Sequence, residues 1–430
     1  MDTDKDVRRE KMKKGQKNIL YLILGQVISV FGGAILRFAL SLFVLDQTGR
    51  ADIFATVLAI SSIPVLVAPI GGAIADRFDR RMLMVLMDIA NAVLAVFLFF
   101  VLGMNQSIFM IGALLFLLSI VGSFDTPVVT ASIPLLVEES KLEKVNGLVN
   151  GVLSMSNVVA PIIGGILYSI LGAQVLVACS ALFFLLAAVI ESFLQIPFEK
   201  RALEKGLLTT LTSDLIEGFQ EVRKNSVILK SILIAALVNF VLASFFIVGT
   251  PVILRVILQA NDSMYGFGMS LVSLATILGA VFAGFFTKKL RLNNLYLTFT
   301  LSGLLLFAMN LGLTFAGTPS GNVLGFVLFV ITGIPIGMLM SVISIYLISM
   351  VQRVTPKENL GKVMATIVAC AQCAVPLGQI MIGMIFKQTT SNVFLPLTFI
   401  ACSVLLLSFL CYYLFRKTVE TDIYGRKEMI

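Results

Sequence analysis

Four ionisable side chains lie inside long apolar runs: Arg37, Asp88, Asp125 and Glu191. A charge placed there is costly, so a functional role or a charged partner is expected for each. The chemistry open to them is ion pairing and, for the three carboxyl groups, taking up and releasing a proton. Covalent catalysis has little to work with. The chain has no histidine, which removes imidazole proton relays, Ser-His and Cys-His pairs and His-ligated metal sites. Its five cysteines are scattered, and the C-x-x-C at Cys370 and Cys373 falls in an apolar run, so neither a metal nor a redox site is expected. No G-x-S-x-G is present, nor a G-x-x-x-x-G-K-S/T phosphate loop, so a membrane-embedded enzyme and a nucleotide-driven pump are both poor readings. No cofactor is expected.

The elements that position these residues follow from composition. The chain is 58% hydrophobic and 13% charged over 430 residues, whereas soluble chains carry about 25% charged residues. Apolar runs of roughly 20 residues, the length that spans a bilayer core as helix, recur from Ile19 to Phe415. The polar breaks predict an all-α membrane protein with twelve transmembrane helices, at 18–45, 53–75, 82–102, 107–136, 145–170, 174–197, 228–257, 265–287, 294–316, 323–350, 362–387 and 393–415. With both termini cytoplasmic, 28 of the 32 Lys and Arg residues fall at the cytoplasmic side. The net charge of +8 is what such a topology produces, so no nucleic-acid partner is expected.

The long break divides the chain into an N-terminal tail and six-helix half (1–197), a cytoplasmic linker (198–227) and a C-terminal six-helix half and tail (228–430). In the linker, Asp214 and Glu217 read as a capping box, and Leu215, Ile216, Phe219 and Val222 share one face of an amphipathic helix. The halves are weakly alike: Leu142-Glu143-Lys144-Val145 matches Leu360-Gly361-Lys362-Val363, and Gly72 with Arg77 is echoed by Gly284 with Lys288-Lys289. Pseudo-symmetric halves of this kind are how many transporters are built.

The loop between spans two and three, Gly71-Gly72-Ala73-Ile74-Ala75-Asp76-Arg77-Phe78-Asp79-Arg80-Arg81, resembles the signature G-x-L-A-D-R-x-G-R-K/R of the major facilitator superfamily. Gly72, Ala75, Asp76, Arg77, Arg80 and Arg81 match, while Asp79 replaces the second glycine. Span five carries Ala160-Pro161-Ile162-Ile163-Gly164-Gly165, similar to the G-P-x-x-G-G of the superfamily's antiporters, with Pro161, Gly164 and Gly165 in place. Gly25-Gln26-Val27-Ile28-Ser29, Thr126-Pro127 and Pro134-Leu135-Leu136-Val137 resemble the bacterial macrolide-efflux type. Two departures stand out. Leu118 occupies the place of an arginine found in span four of many facilitator antiporters, and Pro134 or Leu135 that of a terminal acid. Glu138 or Glu139 is the substitute expected to pair with Arg77 or Arg81.

The resemblance implies the major facilitator fold and a secondary active transporter in the inner (plasma) membrane. Its expected activity is proton-coupled efflux (antiport) of drug-like or amphipathic small molecules such as macrolides, by alternating access. Export or flipping of an endogenous lipid or siderophore is the alternative. The expected partners are the small-molecule substrate, protons and the lipid bilayer, and the expected state is a monomer. Gly72, Asp76, Arg77, Arg80 and Arg81 are expected to close an inner gate. Asp125 lies near the midplane of span four and Arg37 at a comparable depth in span one. In the superfamily fold both spans line the central cavity, so these two residues couple transport to protons, form a static pair that fixes helix packing, or do not touch. Asp88 and Glu191 are expected nearer the cytoplasm, Asp88 beside the basic loop and Glu191 snorkelling. Gln26, Asn150, Asn157, Asn239, Gln372 and Gln379 are the polar candidates for contacting substrate.

Overall fold

The computed structural model describes residues 2–75, 77–104, 107–138, 141–197, 219–286, 290–356, 359–388 and 394–416, with the side chains of 2–16, 69, 72–73 and 388 left aside. The described elements are helical. They are α1 (Asp2–Thr48), α2 (Ala51–Ser62), α3 (Ala68–Ala75), α4 (Arg80–Met104), α5 (Ile108–Leu136), α6 (Leu142–Ser192), α7 (Ser226–Val238), α8 (Asp262–Phe286), α9 (Leu295–Leu313), α10 (Pro319–Val354), α11 (Leu360–Gln388) and α12 (Phe394–Phe415).

Ten described helical stretches are long and apolar enough to cross a membrane. One of these, α6, holds two crossings: Gly172, at φ 73° and ψ 170°, breaks it between spans five and six. That backbone conformation is open to glycine and strained for other residues. Span two is also broken. A 3-10 turn over Ile63–Val67 separates α2 from α3, where Pro64 has no N–H to continue the helical ladder. Counted this way, the described helices accommodate twelve crossings. Helix starts follow their sequence signals: Ser107, Asn225 and Thr318 each accept a backbone N–H at the heads of α5, α7 and α10.

The chain divides into two compact units, Met1–Val44 with Ser61–Thr209, and Leu45–Ile60 with Thr210–Ile430. The core of the first includes Leu22, Met84, Val129, Ile133 and Leu194. In the second, α7 continues beyond Val238 through π-helical segments at Asn239–Ala243, Phe245–Gly249 and Ile253–Ile257. Leu45–Ile60 is tied into the second unit by two charged clusters. Arg255 holds Asp46 at 2.6 and 2.8 Å and Asp262 at 2.8 Å, and Lys387 meets Asp52 at 2.9 Å. Of the linker face, Val222 is buried against Ile228, Ile232, Val351, Val363 and Ile367, whereas Phe219 is exposed. Asp214, Leu215, Ile216 and Glu217 lie outside the described residues.

Candidate functional site

Helix α1 carries a polar stripe along one face of the first unit. Gln26, Ser29, Gly33 and Arg37 recur at intervals of three or four residues, so their side chains share one side of the helix. The stripe runs about 16 Å at 1.5 Å per residue. Three carboxyl groups from three other spans meet it. Ser29 Oγ donates to Asp88 Oδ1 of α4 at 2.6 Å, and Gln26 Nε2 approaches Glu191 Oε1 of α6 at 3.4 Å. The Gln26 amide and the Arg37 guanidinium also lie close enough to the Asp125 carboxyl of α5 to attract it. Asp88 and Glu191 lie within electrostatic range of Asp125 and of each other. Gln26, Ser29, Asp88 and Glu191 are all buried.

Glycines and aromatic contacts hold the cluster in place. A Cβ at Gly25 would stand 2.6 Å from Glu191 Cγ, so only glycine leaves room for that carboxylate beside α1. A Cβ at Gly33 would meet Arg37 at 3.3 Å, and one at Gly122, one turn before Asp125, would meet it at 3.8 Å. Arg37 keeps accessible surface although Gly33 and Gly122 stand close beside its guanidinium. At the start of α1, Asn18 exchanges hydrogen bonds with the backbone of Gln195, 3.0 Å to its carbonyl and 3.3 Å from its N–H. Higher up, the ring of Phe38 packs where a Cβ on Gly164 would stand, 2.7 Å away. Gly164 therefore allows a close α1–α6 contact one residue from Arg37. Gly164, Gly165 and the neighbouring Ala160 are buried in it.

Several expectations change. Asp88 does not turn to the basic loop but bonds Ser29, 59 residues away. Glu191 does not snorkel; at 1% exposure it is interior. Both are drawn in because α1 offers them donors. Arg37 and Asp125 interact electrostatically, but no ion pair within 4.0 Å joins them among the described residues. Gln26, a polar candidate for substrate, is buried and turns its amide to Glu191 at 3.4 Å. Ser29 was missed by sequence reasoning, although its place three residues after Gln26 and eight before Arg37 on one helical face was a usable signal.

At the loop after α3, Asp76 lies outside the described residues, as do Glu139 and the side chain position of Gly72. Arg77 closes a turn onto the Ile74 carbonyl at 3.0 Å, and Arg80 Nε donates to the Ala75 carbonyl at 2.8 Å. Glu138 faces Lys141 at 3.6 Å rather than Arg77 or Arg81. Asp79, the departure from the signature, accepts from Arg81 N at 3.0 Å and Met82 N at 3.4 Å. It caps α4, a role that glycine fills without a side chain.

The remaining polar candidates separate. Asn239 and Gln372 come together in one cavity of the second unit. Gln379 is buried, and Asn150 and Asn157 are exposed. Among the described residues no group of three or more His, Cys, Asp or Glu side chains could hold a metal ion.

Comparison with known proteins places this arrangement. The chain is 26% identical over 372 residues to macrolide efflux protein A of Streptococcus pyogenes, covering 83% of this chain and 86% of the relative. It is 25% identical over 403 residues to the uncharacterized MFS-type transporter YfiS of Bacillus subtilis (strain 168), covering 92% of each. The fold matches the crystal structure of the nucleoside transporter NupG with a TM-score of 0.71 at 15% identity, covering 93% of this chain and 100% of that one. The family model of the Major Facilitator Superfamily matches residues 22–378. A match of that extent, on a chain of membrane-spanning helices, means that the chain belongs to the Major Facilitator Superfamily and is a membrane transporter rather than an enzyme.

Proposed function

We propose that the chain is a proton-coupled exporter of drug-like or amphipathic small molecules, an antiporter of the plasma membrane working by alternating access as a monomer. The observation that carries this reading is the cluster of buried Asp88 and Glu191 with half-buried Asp125 and the guanidinium of Arg37. Three carboxyl groups, Asp88 and Glu191 of them buried, and one guanidinium reach neutrality with two protons aboard. Loss of protons leaves net negative charge, which favours whichever conformation brings water to the cluster. A ligand-free proton cycle of this kind needs no histidine. Gln26 and Ser29 act as positioning residues, since each holds a carboxyl oxygen and neither can titrate.

Macrolide efflux protein A supports the drug-like class of substrate and the outward direction. The packing of Phe38 on Gly164 supports the antiporter reading of Pro161-Gly165, because it rests beside the same stretch of α1. Gly72, Asp76, Arg77, Arg80 and Arg81 are proposed to latch the cytoplasmic side and to open with each cycle.

Two measurements test it. In proteoliposomes, Asp125→Asn is expected to abolish substrate movement driven by a pH gradient; normal pH-driven movement in that variant overturns the coupling site. In an efflux-deficient host, the wild-type chain is expected to protect against amphipathic drugs and to lose that protection with a protonophore. Protection against no compound overturns the substrate class in favour of an endogenous lipid or siderophore.

A further inference from the structure

The topology read from the sequence leaves Arg50, Arg255 and Lys387 at the outer ends of the spans, opposite the cytoplasmic side. Two of them, Arg50 and Lys387, line one cavity of about 200 Å³ in the second unit. It lies between residues 49–52, the end of the π-helical stretch after α7, and the facing ends of α11 and α12. We propose that this cavity holds the phosphate of an anionic membrane phospholipid, with the first carbons of the lipid on its apolar floor. The cavity shares no lining residue with the carboxyl cluster of the first unit, and lipid binding there is separate from substrate and proton movement.

Two cations meet one carboxylate. Arg50 Nε donates to Asp52 Oδ1 at 3.1 Å and Arg50 Nη2 to Oδ2 at 2.7 Å, while Lys387 Nζ stands 2.9 Å from the same Oδ2. The three groups together carry one positive charge in excess. Among the described residues, Arg50 Nη1 and two of the ammonium hydrogens of Lys387 are left for a ligand. The side chains of Arg50 and Lys387 are 54% and 52% exposed, so these donors can be reached. A phosphodiester, with its single negative charge, matches the excess. A headgroup ammonium finds no such match, because Asp52 is already shared by two cations. The neighbouring acids Asp46 and Asp262 are held by Arg255, and none of these three lines the cavity.

The floor is apolar and the rim stands at the edge of the hydrocarbon. Val252, Phe386 and Pro396 are buried in the floor, and Val256 is exposed at the rim. Phe394 and Leu395, beside Pro396 at the head of α12, are exposed as well. Open apolar side chains next to two cations mark the level where acyl chains meet headgroups. The volume is below the ~300–1,000 Å³ of sites that enclose a drug-sized ligand, so the cavity takes a headgroup and leaves the chains outside. Its walls are fixed. Gly383 and Lys387 lie four residues apart on one face of α11. Gly383 meets Ala55 with no room for a side chain, and a Cβ there would stand 3.0 Å from the Ala51 carbonyl oxygen. Helix α2 therefore lies directly on α11, which brings Asp52 up to Lys387. Arg255, bonded to Asp46 at 2.6 and 2.8 Å, anchors the wall that carries Val256.

The test is native mass spectrometry of the full chain in a neutral detergent, titrated with dioctanoyl phosphatidylglycerol. A first, saturable adduct is expected. Lys387→Gln and Arg50→Gln each leave the cavity neutral and are each expected to weaken that adduct about fivefold. Lys387→Arg is expected to preserve it. Asp52→Asn releases both cations and is expected to tighten it, the opposite sign from that of an ion pair that only braces the helices. Dioctanoyl phosphatidylcholine, which is zwitterionic, is expected to bind about fivefold more weakly. Inorganic phosphate is expected not to displace the lipid. Unchanged binding in Lys387→Gln, or weaker binding in a folded Asp52→Asn, overturns the proposal. Equal binding of the phosphatidylcholine overturns the charge match, and displacement by inorganic phosphate overturns the lipid in favour of a free anion. If Arg50→Gln does not fold, the Lys387 variants and Asp52→Asn decide it.

Discussion

Gly25→Ala tests whether the carboxylate cluster is built as described. The added Cβ would stand 2.6 Å from Glu191 Cγ, 2.9 Å from Oε1 and 3.2 Å from Cδ. Cγ is not the free end of the side chain, so the whole Glu191 carboxylate must move and its contact with Gln26 is lost. Overpacking of this kind costs ~1–3 kcal/mol. The Gln26–Glu191 bond, long at 3.4 Å, adds ~1 kcal/mol. Alanine in place of glycine returns ~1 kcal/mol of helix propensity. The steric effect wins, and the net loss is ~1–3 kcal/mol. Gly147→Ala and Gly151→Ala are the controls: nothing stands within 4 Å of a Cβ at either position, so each is expected to be neutral or stabilising by up to ~1 kcal/mol. Unfolding can be followed through a thiol-reactive dye on buried Cys411, with the half-buried Cys179 and Cys370 and the exposed Cys373 and Cys402 replaced by serine. In a Glu191→Ala background the cost of Gly25→Ala is expected to vanish, because the clashing Cγ is gone. A Gly25→Ala protein that melts like Gly147→Ala refutes the geometry of the cluster, as does a cost that persists without the Glu191 side chain.

Asp79→Ala removes the cap of α4 and is expected to destabilise by ~0.5–2 kcal/mol, whereas Asp79→Gly is expected to cost only a few tenths; equal melting of the two variants contradicts the capping role. Asp52 precedes span two, and its hydrogen bond with Arg50, reinforced by Lys387, holds its carboxyl well below the usual carboxylate range. A depressed carboxylate stabilises above its unfolded pKa, and the contribution is lost as pH falls through the folded value. The melting difference between wild type and Asp52→Asn is therefore expected to hold from pH 7 down to about 4 and to close only in stronger acid. Closure already at pH 5 contradicts it.

Much of this protein was legible before folding. The twelve apolar runs, their polar breaks and the one-sided distribution of Lys and Arg are local properties of the chain, set by bilayer thickness and by charge. The loop around Asp76-Arg77 and the Pro161-Gly165 stretch carry the family in a few adjacent residues. The ionisable residues of the cluster were also visible one by one, since a charge in an apolar run is conspicuous by itself.

Which of them meet was not legible. Ser29 and Asp88 are 59 residues apart and Gln26 and Glu191 165 apart, and no local pattern links positions on different helices. Depth along a span can be counted at 1.5 Å per residue, but the rotation of one helix against another depends on packing. Here that packing is set by Gly25 against Glu191 and Gly164 against Phe38. The same holds in the second unit, where Ser231, Asn239 and Gln372 come from α7 and α11 to one cavity. The sequence by itself carried the apolar runs with their polar breaks, and the motifs of the family the chain joins. Only the tertiary structure decided which buried polar groups are neighbours, because that depends on which faces of the helices are narrow enough to touch.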